Sequence, residues 1–276
     1  MIISALGFAL MAACVKEVSG LGIPVLEIVA VRSIVSGMIS YADIKRKKIP
    51  LFGHNKVLLI ARGTVGTVAL ILVYYAVTTL PLAEATVLQY LHPVFTAILA
   101  LFFLKETIQR STMACIVISL LGLFIIIQPN LQIDSGVQYP WISIGAGVLG
   151  AFTSAVAYII VKKLTKTDDS SVIIFYFPLV ALPISIIFLG SDFVVPNPAT
   201  MGLLVLVGIF TQVGQVGLTK ALHCADANKA TAYAYVQVLF SVFIGWVYFS
   251  EVPIITTIIG GAFIMVGALI NVFWKR

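Results

Sequence analysis

Residues 75–106 read YAVTTLPLAEATVLQYLHPVFTAILALFFLKE, and residues 220–251 read KALHCADANKATAYAYVQVLFSVFIGWVYFSE. The two stretches align without gaps at an offset of 145 residues, and the same register aligns the apolar segments on both sides of them. Identical pairs in this register include Ala76/Ala221, Ala85/Ala230, Thr86/Thr231, Phe95/Phe240, Glu106/Glu251 and Gly122/Gly267. Each pair is weak evidence alone, but the shared hydropathy register predicts an internal duplication.

The composition excludes a water-soluble protein. The chain is 61% hydrophobic and 10% charged, with a mean hydropathy of +1.11, whereas soluble domains are about a quarter charged. Each apolar segment is long enough to cross a hydrocarbon core of about 30 Å as a helix. The sequence therefore predicts an all-α polytopic membrane protein with ten transmembrane helices, at residues 2–18, 23–42, 56–78, 82–104, 110–128, 141–161, 171–189, 200–220, 227–249 and 252–273.

The basic residues orient these spans. Fourteen of the seventeen Lys and Arg residues lie in alternate gaps between spans, and the other gaps hold only Lys16. Cationic loops are retained in the cytoplasm, so we expect a multi-pass protein of the cell inner membrane with both termini cytoplasmic. The same loops explain the net charge of +6. There is no basic stripe interleaved with aromatic residues, so no nucleic-acid partner is expected.

The cysteines and histidines predict neither a cofactor nor a metal site. The three cysteines are odd in number and lie in or beside spans, which fits packing rather than a disulfide framework or a metal-ligand spacing. The three histidines are scattered over two loops and one span, and the sequence has no GxSxG or HExxH motif. We therefore expect no catalytic residues and no enzyme.

The duplication and the topology together predict two inverted halves. Five spans per half is an odd number, so the second half must enter the membrane upside down. Inverted repeats are typical of secondary transporters, whose substrate site lies near the bilayer midplane where the repeats meet. We predict a first five-helix repeat at residues 1–130, an external linker at 131–140 and a second five-helix repeat at 141–276.

Polar residues deep in the spans outline a candidate site. Such residues are costly in lipid and face a cavity or another helix. Gln89 and His92 share one face of span 4, and the duplication maps His92 onto Gln237. For each residue, solute contact and interhelical hydrogen bonding both stay open, whereas the set favours a mixed polar and aromatic cavity. The predicted substrate-binding residues are Arg32, Tyr74, Gln89, His92, Gln212, Gln215, Tyr233 and Gln237.

Two arginines lie within spans. Arg32 is about nine residues inside span 2, too deep to reach either surface, so it should face inward and pair with a substrate anion, a gating acid or another helix. Glu27 is the acid in the same span, although a spacing of five is off the best helical register, so a partner on another span is also possible. Arg62 is about six residues into span 3, and we expect it to snorkel to the headgroups.

His92 precedes Pro93 near the middle of span 4. An imidazole titrates near neutral pH and could relay protons, while a hydrogen bond to a neighbouring helix is the alternative. Pro93 removes a backbone hydrogen bond and predicts a kink. Span 6 carries Gly147, Ala151 and Ala155 at intervals of four, together with Gly150 and Ser154, which predicts a face for close helix packing rather than for binding.

These stretches resemble a known family. Residues 74–106, followed by Gly122, resemble the first repeat of the EamA family of the drug/metabolite transporter superfamily, and residues 220–251 with Gly267 are similar to its second repeat. Arg32 in span 2 matches an arginine that is often seen at this place in the family. In the second repeat, Val238 stands where the first repeat has Pro93. The resemblance implies ten spans in two inverted repeats, with a cavity formed mainly by spans 1–4 and 6–9.

The sequence thus predicts a secondary transporter that moves small polar organic metabolites by alternating access. Amino-acid-like, cofactor-like and other organic solutes are all compatible with it. A passive channel or facilitator is the alternative, followed at a distance by an intramembrane enzyme. The expected partners are a small-molecule substrate and the lipid bilayer, with the protein as a monomer or a homodimer.

Overall fold

The computed structural model describes residues 1–105, 110–131 and 140–274. All regular structure within these residues is helical, and it includes a short 3-10 helix at Tyr233–Tyr235. The α-helices are α1 (Ile2–Gly20), α2 (Val25–Lys47), α3 (Lys56–Thr79), α4 (Leu82–Gln89), α5 (His92–Phe103), α6 (Arg110–Leu131), α7 (Trp141–Leu164), α8 (Ser170–Leu189), α9 (Pro198–Cys224), α10 (Ala227–Ala232), α11 (Val236–Phe249) and α12 (Ile255–Phe273).

The helices make a multi-pass membrane protein. By length and composition, α1, α2, α3, α7, α8 and α9 can each cross a membrane, and shorter apolar helical stretches lie in α5, α6, α11 and α12. Large apolar side chains such as Phe102, Ile142, Ile187 and Phe243 point away from the protein, as expected of a lipid-facing surface. The all-helical polytopic fold is thereby confirmed. The predicted linker 131–140, apart from its two end residues, lies outside the described residues.

The spans predicted at 82–104 and 227–249 are each broken near their middle. In the first, α4 ends at Gln89 and α5 begins at His92. The ring of Pro93 explains this break, because proline lacks an N–H and collides with the carbonyl four residues earlier. The second break, at Tyr233–Tyr235, has no proline or glycine nearby. Tertiary packing rather than local sequence therefore sets the second break.

Glycines let the helices approach closely where α1 meets α9 and where α3 meets α7. A Cβ on Gly7 would lie 3.0 Å from the backbone N of Gly214, and one on Gly150 would lie 3.2 Å from the backbone N of Val73. The Ser4 hydroxyl also donates to the Gly214 carbonyl at 2.6 Å. Contacts between small residues are how membrane helices gain packing energy without a hydrophobic driving force. The small-residue face predicted on α7 does pack.

One end of the bundle, here called the Lys16 end, is tied together by a single lysine. Lys16 Nζ lies 2.5 Å from Glu251 Oε1 and donates to the Leu80 carbonyl at 3.0 Å. The other oxygen of Glu251 accepts the Leu82 N–H at 2.9 Å, at the start of α4. These bonds join α1, α4 and the turn after α11.

The opposite end, here called the Lys162 end, has a similar lysine. Lys162 Nζ donates to the carbonyls of Leu222 and Ala225 at 2.9 and 2.7 Å. Leu80 and Ala225 are equivalent in the register of 145 residues, so the two lysines bind equivalent carbonyls at opposite ends of the molecule. Each lysine thus bridges its own helix to the turn that follows another long helix.

A loop contact also closes the Lys162 end. Asp168 Oδ1 accepts the His54 N–H at 2.5 Å, and its Oδ2 accepts the Thr167 hydroxyl at 2.7 Å. Burial raises the pKa of Asp168, but these hydrogen bonds outweigh it and hold the pKa below its usual range. Gly53 has a φ of +56°, and a Cβ there would collide with Asp168 and Leu59. Only glycine fits this turn.

Two apolar clusters fill the two ends of the bundle. The Lys16-end seal includes Val15, Val18, Ile28, Leu80 and Leu82, all at most 2% exposed. The Lys162-end seal includes Ile44, Leu59, Leu164, Leu222 and Ala227, also at most 2% exposed. Buried polar groups therefore lie between two apolar clusters.

Candidate functional site

A small cavity lies between the two seals. Its volume is about 70 Å³, room for roughly five waters at 10–15 Å³ each. Helices α1, α2, α3, α7, α8 and α9 line it together with the broken regions of both interrupted spans. Six of the predicted site residues line it, namely Arg32, Tyr74, Gln89, His92, Gln215 and Gln237. Residues distant in sequence are thus brought together inside the bundle.

Arg32 is 1% exposed and faces the cavity from α2. Its Nε donates to the Thr211 hydroxyl at 2.8 Å. Its guanidinium carbon lies 4.8 Å from the Phe177 ring centroid and 5.9 Å from that of Tyr74, within the range of cation–π attraction. Its Nη1 has no hydrogen-bond partner among the described residues. Arg32 is therefore held in place with donor capacity left over.

Arg62 also faces the cavity, contrary to the expectation that it snorkels. It is 3% exposed, and its Nη2 donates to Gln215 Oε1 at 3.2 Å. Its guanidinium lies 5.0 Å from the same Phe177 ring. A Cβ on Gly66 would overlap both Arg62 Nη1 and Phe177, so this glycine makes room for the inward side chain. Packing of α3 against α8 thus directs Arg62 inward.

His92 sits at the break between α4 and α5 and is 4% exposed. Its ring centroid lies 5.0 Å from that of Tyr158 in an edge-on arrangement and 5.4 Å from that of Tyr90. Its Nδ1 has no hydrogen-bond partner within the described part of the chain. The equivalent residue, Gln237, faces the same cavity from the second break. Both breaks therefore present a polar side chain to the centre.

Gln212 and Tyr233, both predicted to bind substrate, do not line this cavity. They line a separate, mostly apolar groove of about 840 Å³ at the Lys162 end, and Gln212 donates to the Ser40 hydroxyl at 2.9 Å. Gln212 and Gln215 are about 60° apart around the axis of α9, so that Gln212 bonds Ser40 of α2 whereas Gln215 bonds Arg62 of α3. Tyr233 belongs to the 3-10 turn, so helical spacing from Gln237 does not predict its direction.

Glu27 does not pair with Arg32. One carboxylate oxygen of Glu27 accepts the Val194 N–H at 3.0 Å, although the residue is only 1% exposed. Arg32 instead pairs with Thr211 on another helix, the alternative that the spacing of five residues left open. Glu27 therefore ties α2 to the segment before α9, and the predicted gating pair is corrected.

Three residues that line the cavity or bond its arginines were missed by the sequence patterns. Phe177 is aromatic without a polar atom, and Thr211 is one of many hydroxyl residues in the spans, so neither gave a signal. Tyr158 did carry one, because it follows Ser154 by four residues and both line the cavity from α7. Polar pairs at that spacing lie on one helix face. Ser154 was included in the small-residue face predicted to pack, and the structure places it at the cavity instead.

The site is positively charged and hydrogen-bonding. Its described lining includes two guanidinium groups, three glutamines and the aromatic rings of Tyr74, Tyr158 and Phe177, but no aspartate or glutamate. No group of three or more His, Cys, Asp or Glu side chains suited to a metal occurs among the described residues. Such a site can bind an organic solute through hydrogen bonds, stacking and charge.

Known proteins resemble this chain along nearly its whole length. The pseudopaline exporter CntI of Pseudomonas aeruginosa is 32% identical over 273 residues, which cover 97% of this chain and 93% of the exporter. Human solute carrier family 35 member G1 is 29% identical over 97% of this chain and 76% of its own length. The S-adenosylmethionine uptake transporter of Rickettsia felis is 27% identical over 73% of this chain and 67% of its own length.

One solved crystal structure of a protein matches the fold with a TM-score of 0.73, at 15% identity, over 97% of this chain and 95% of the other. The family described as EamA-like transporters matches residues 1–128 and 141–273. These matches confirm the family resemblance and the prediction of a transporter rather than an enzyme. The chain belongs to the EamA-like transporter family, within the drug/metabolite transporter superfamily.

Proposed function

We propose that this protein is a secondary transporter of small polar organic metabolites that works by alternating access in the cell inner membrane. The observation that carries the proposal is the buried polar cavity that lies between two apolar seals. In this proposal the two seals would shut a bound solute off from both ends of the bundle. Opening one seal at a time would expose the same residues to each side in turn.

The proposal includes two inverted five-span halves, residues 1–130 and 141–276, joined by residues 131–140. The helix contacts support it, because exchanging the halves maps the largest contacts onto one another. The α1–α9 contact exchanges with α7–α3, α2–α9 with α8–α3, and α1–α11 with α7–α5. The α2–α8 and α6–α12 contacts map onto themselves. This is the pattern of a pseudo-twofold axis between the halves.

Local backbone features support the same register of 145 residues. Lys105 and Ser250 both have left-handed φ values of 54°. The hydroxyls of Thr86 and Thr231 donate to the carbonyls of residues 82 and 227, at 2.6 and 2.8 Å. Equivalent turns that lie at opposite ends of the molecule are what an inverted repeat requires.

The charge distribution supports cytoplasmic termini. Basic side chains of the described loops and helix ends cluster at the Lys162 end, including Lys45, Arg46, Lys56 and Lys163, whereas Lys16 marks the other end. Under the rule that cationic loops stay inside, the Lys162 end faces the cytoplasm. The relatives are named as an exporter and as an uptake transporter, so family membership leaves the direction of transport to experiment.

Counterflow in proteoliposomes tests the proposal. Solutes that raise the thermal stability of the purified protein would be loaded inside vesicles, and the uptake of labelled solute would be followed. We expect saturable uptake stimulated by the internal solute. Arg32→Ala should abolish uptake while membrane insertion stays intact, and Arg46→Ala, which changes an exposed arginine, should leave uptake unchanged. Linear flux without stimulation would instead identify a passive channel.

A further inference from the structure

Two buried arginines share one aromatic ring in the cavity. The guanidinium carbons of Arg32 and Arg62 lie 4.8 and 5.0 Å from the Phe177 ring centroid. Because both distances are measured to the same point, the two charges are at most about 10 Å apart, each within cation–π range. Sequence analysis placed only one of them in the site. Arg62 adds a second positive charge to the cavity, which changes the charge expected of a solute that binds there.

Neither arginine is neutralised by the protein in the described part of the chain. Their hydrogen-bond partners are the hydroxyl of Thr211 and the amide oxygen of Gln215, both uncharged. Arg32 Nη1 and both Nε and Nη1 of Arg62 are buried without a partner there. A buried charge is stable only when it is paired, and two like charges held close together repel each other. The cavity is therefore suited to receive two negative charges.

We infer that the solute carries two negative charges, as two carboxylates or as one phosphate dianion, which pair with Arg32 and Arg62. The inference rests on the proposed transport function and narrows its substrate class. A monoanion would leave one buried guanidinium uncompensated. Planar guanidinium groups bind carboxylate and phosphate with paired hydrogen bonds. A permanently cationic solute finds no carboxylate in the described lining.

The rest of the cavity suits a short organic dianion. Gln89 and Gln237 line the cavity at the two helix breaks, where their amide groups can bind polar substituents. The amide oxygen of Gln215 already accepts a hydrogen bond from Arg62. A volume of about 70 Å³ is small, which favours a compact solute or requires the helices to separate.

Matched ligands of equal length separate charge from shape. Purified full-length protein would be titrated at constant ionic strength with glutarate, its monoamide glutaramate and its diamide glutaramide, with glycerol 3-phosphate and choline as further probes. The readout is the thermal transition, whose concentration dependence gives an apparent Kd. We expect glutarate or glycerol 3-phosphate to bind at least about tenfold more tightly than glutaramate, since one charge-assisted pair is lost. Glutaramide and choline should not bind.

Charge-removing variants identify the arginines as the cause. Arg62→Gln should reduce the preference for glutarate over glutaramate to less than about twofold, and Arg32→Gln should do the same, since each leaves one positive charge. Arg46→Gln, at an exposed arginine at the Lys162 end, should keep the wild-type preference. Arg62→Lys keeps the charge and is the control in case the neutral variant misfolds. It should retain a preference for the dianion.

Several results would overturn the inference. Equal binding of glutarate and glutaramate, no binding of either dianion, or binding of choline would each contradict it. Tight binding of glycerol 3-phosphate without glutarate would keep it and identify phosphate as the source of charge. Counterflow of a neutral solute would preserve the transport function and refute the dianion, whereas absence of counterflow for every solute would refute transport itself.

Discussion

Replacing Lys16 by Met tests whether the Lys16 end opens as a gate. The ammonium group of Lys16 contacts Glu251 at 2.5 Å and the Leu80 carbonyl at 3.0 Å. Methionine keeps the length and apolar stem of the side chain but removes the charge and all three donors. Because the ion pair and the hydrogen bond join α1 to two other elements, removing them favours separation at this end.

The size of the effect follows from the burial of the pair. The side chains are 18% and 24% exposed, which is more buried than a surface ion pair but not dry. A surface pair contributes about 0.2–1 kcal/mol and a charge-assisted hydrogen bond about 1.5–3 kcal/mol. We therefore expect the closed state to be destabilised by about 2 kcal/mol. Since 1.4 kcal/mol is a factor of about ten, the open population should rise roughly 30-fold.

Cys14 provides a native reporter of this opening. It is partly buried, packs against the Lys16-end seal and precedes Lys16 by two residues. In a protein carrying Cys115→Ala and Cys224→Ser, Cys14 is the remaining thiol. Its reaction with a membrane-impermeant methanethiosulfonate should accelerate roughly 30-fold in Lys16→Met, because modification follows the open population when closing is fast. Lys163→Met, at the opposite end, is the matched control and should leave the rate unchanged.

The Lys16–Glu251 ion pair also predicts the effect of replacing Glu251. If Lys16 and Glu251 act as one unit, then Lys16→Met combined with Glu251→Gln should react about as fast as the faster single variant. A double variant whose acceleration is the product of the two single effects would show that the residues act independently. If Cys14 in Lys16→Met reacts within about twofold of the parent rate, the Lys16–Glu251 ion pair does not hold this end closed.

Two further predictions concern the Lys162 end and the second break. The pKa of Asp168 is depressed in the folded protein, so its hydrogen bonds add stability above the usual aspartate pKa of about 4, and this stability disappears as the pH falls through the lower folded value. The thermal transition of Asp168→Asn should therefore be lower than that of the parent at pH 7 and should fall less steeply below about pH 4. Val238→Pro should reduce stability by less than about 1 kcal/mol because position 238 follows an existing break, whereas Val242→Pro, one turn into α11, should cost about 3 kcal/mol or more in chemical denaturation. Equal destabilisation by the two proline substitutions would contradict this account of the break.

The sequence predicted the helix positions well because hydropathy is a local property. The long helices α1, α2, α3, α7, α8 and α9 lie within a few residues of their predicted spans, since each needs only enough consecutive apolar residues to cross a bilayer. The break before His92 was also foreseeable from Pro93. The break at Tyr233–Tyr235 was not, because no residue in it favours a helix end.

The candidate site was only partly predictable. The sequence indicates how deep a residue lies in a span but not which way its side chain faces. The sequence by itself determined which polar residues lie deep in the spans, and six of the eight predicted binding residues line the cavity. Whether a deep residue faces the cavity, the groove or a neighbouring helix depends on how each helix is rotated, and packing of glycines against adjacent helices sets that rotation. Tertiary structure alone therefore turned Arg62 inward, separated Gln212 from Gln215 and placed both guanidinium groups near Phe177, because these relations join helices that are distant in sequence.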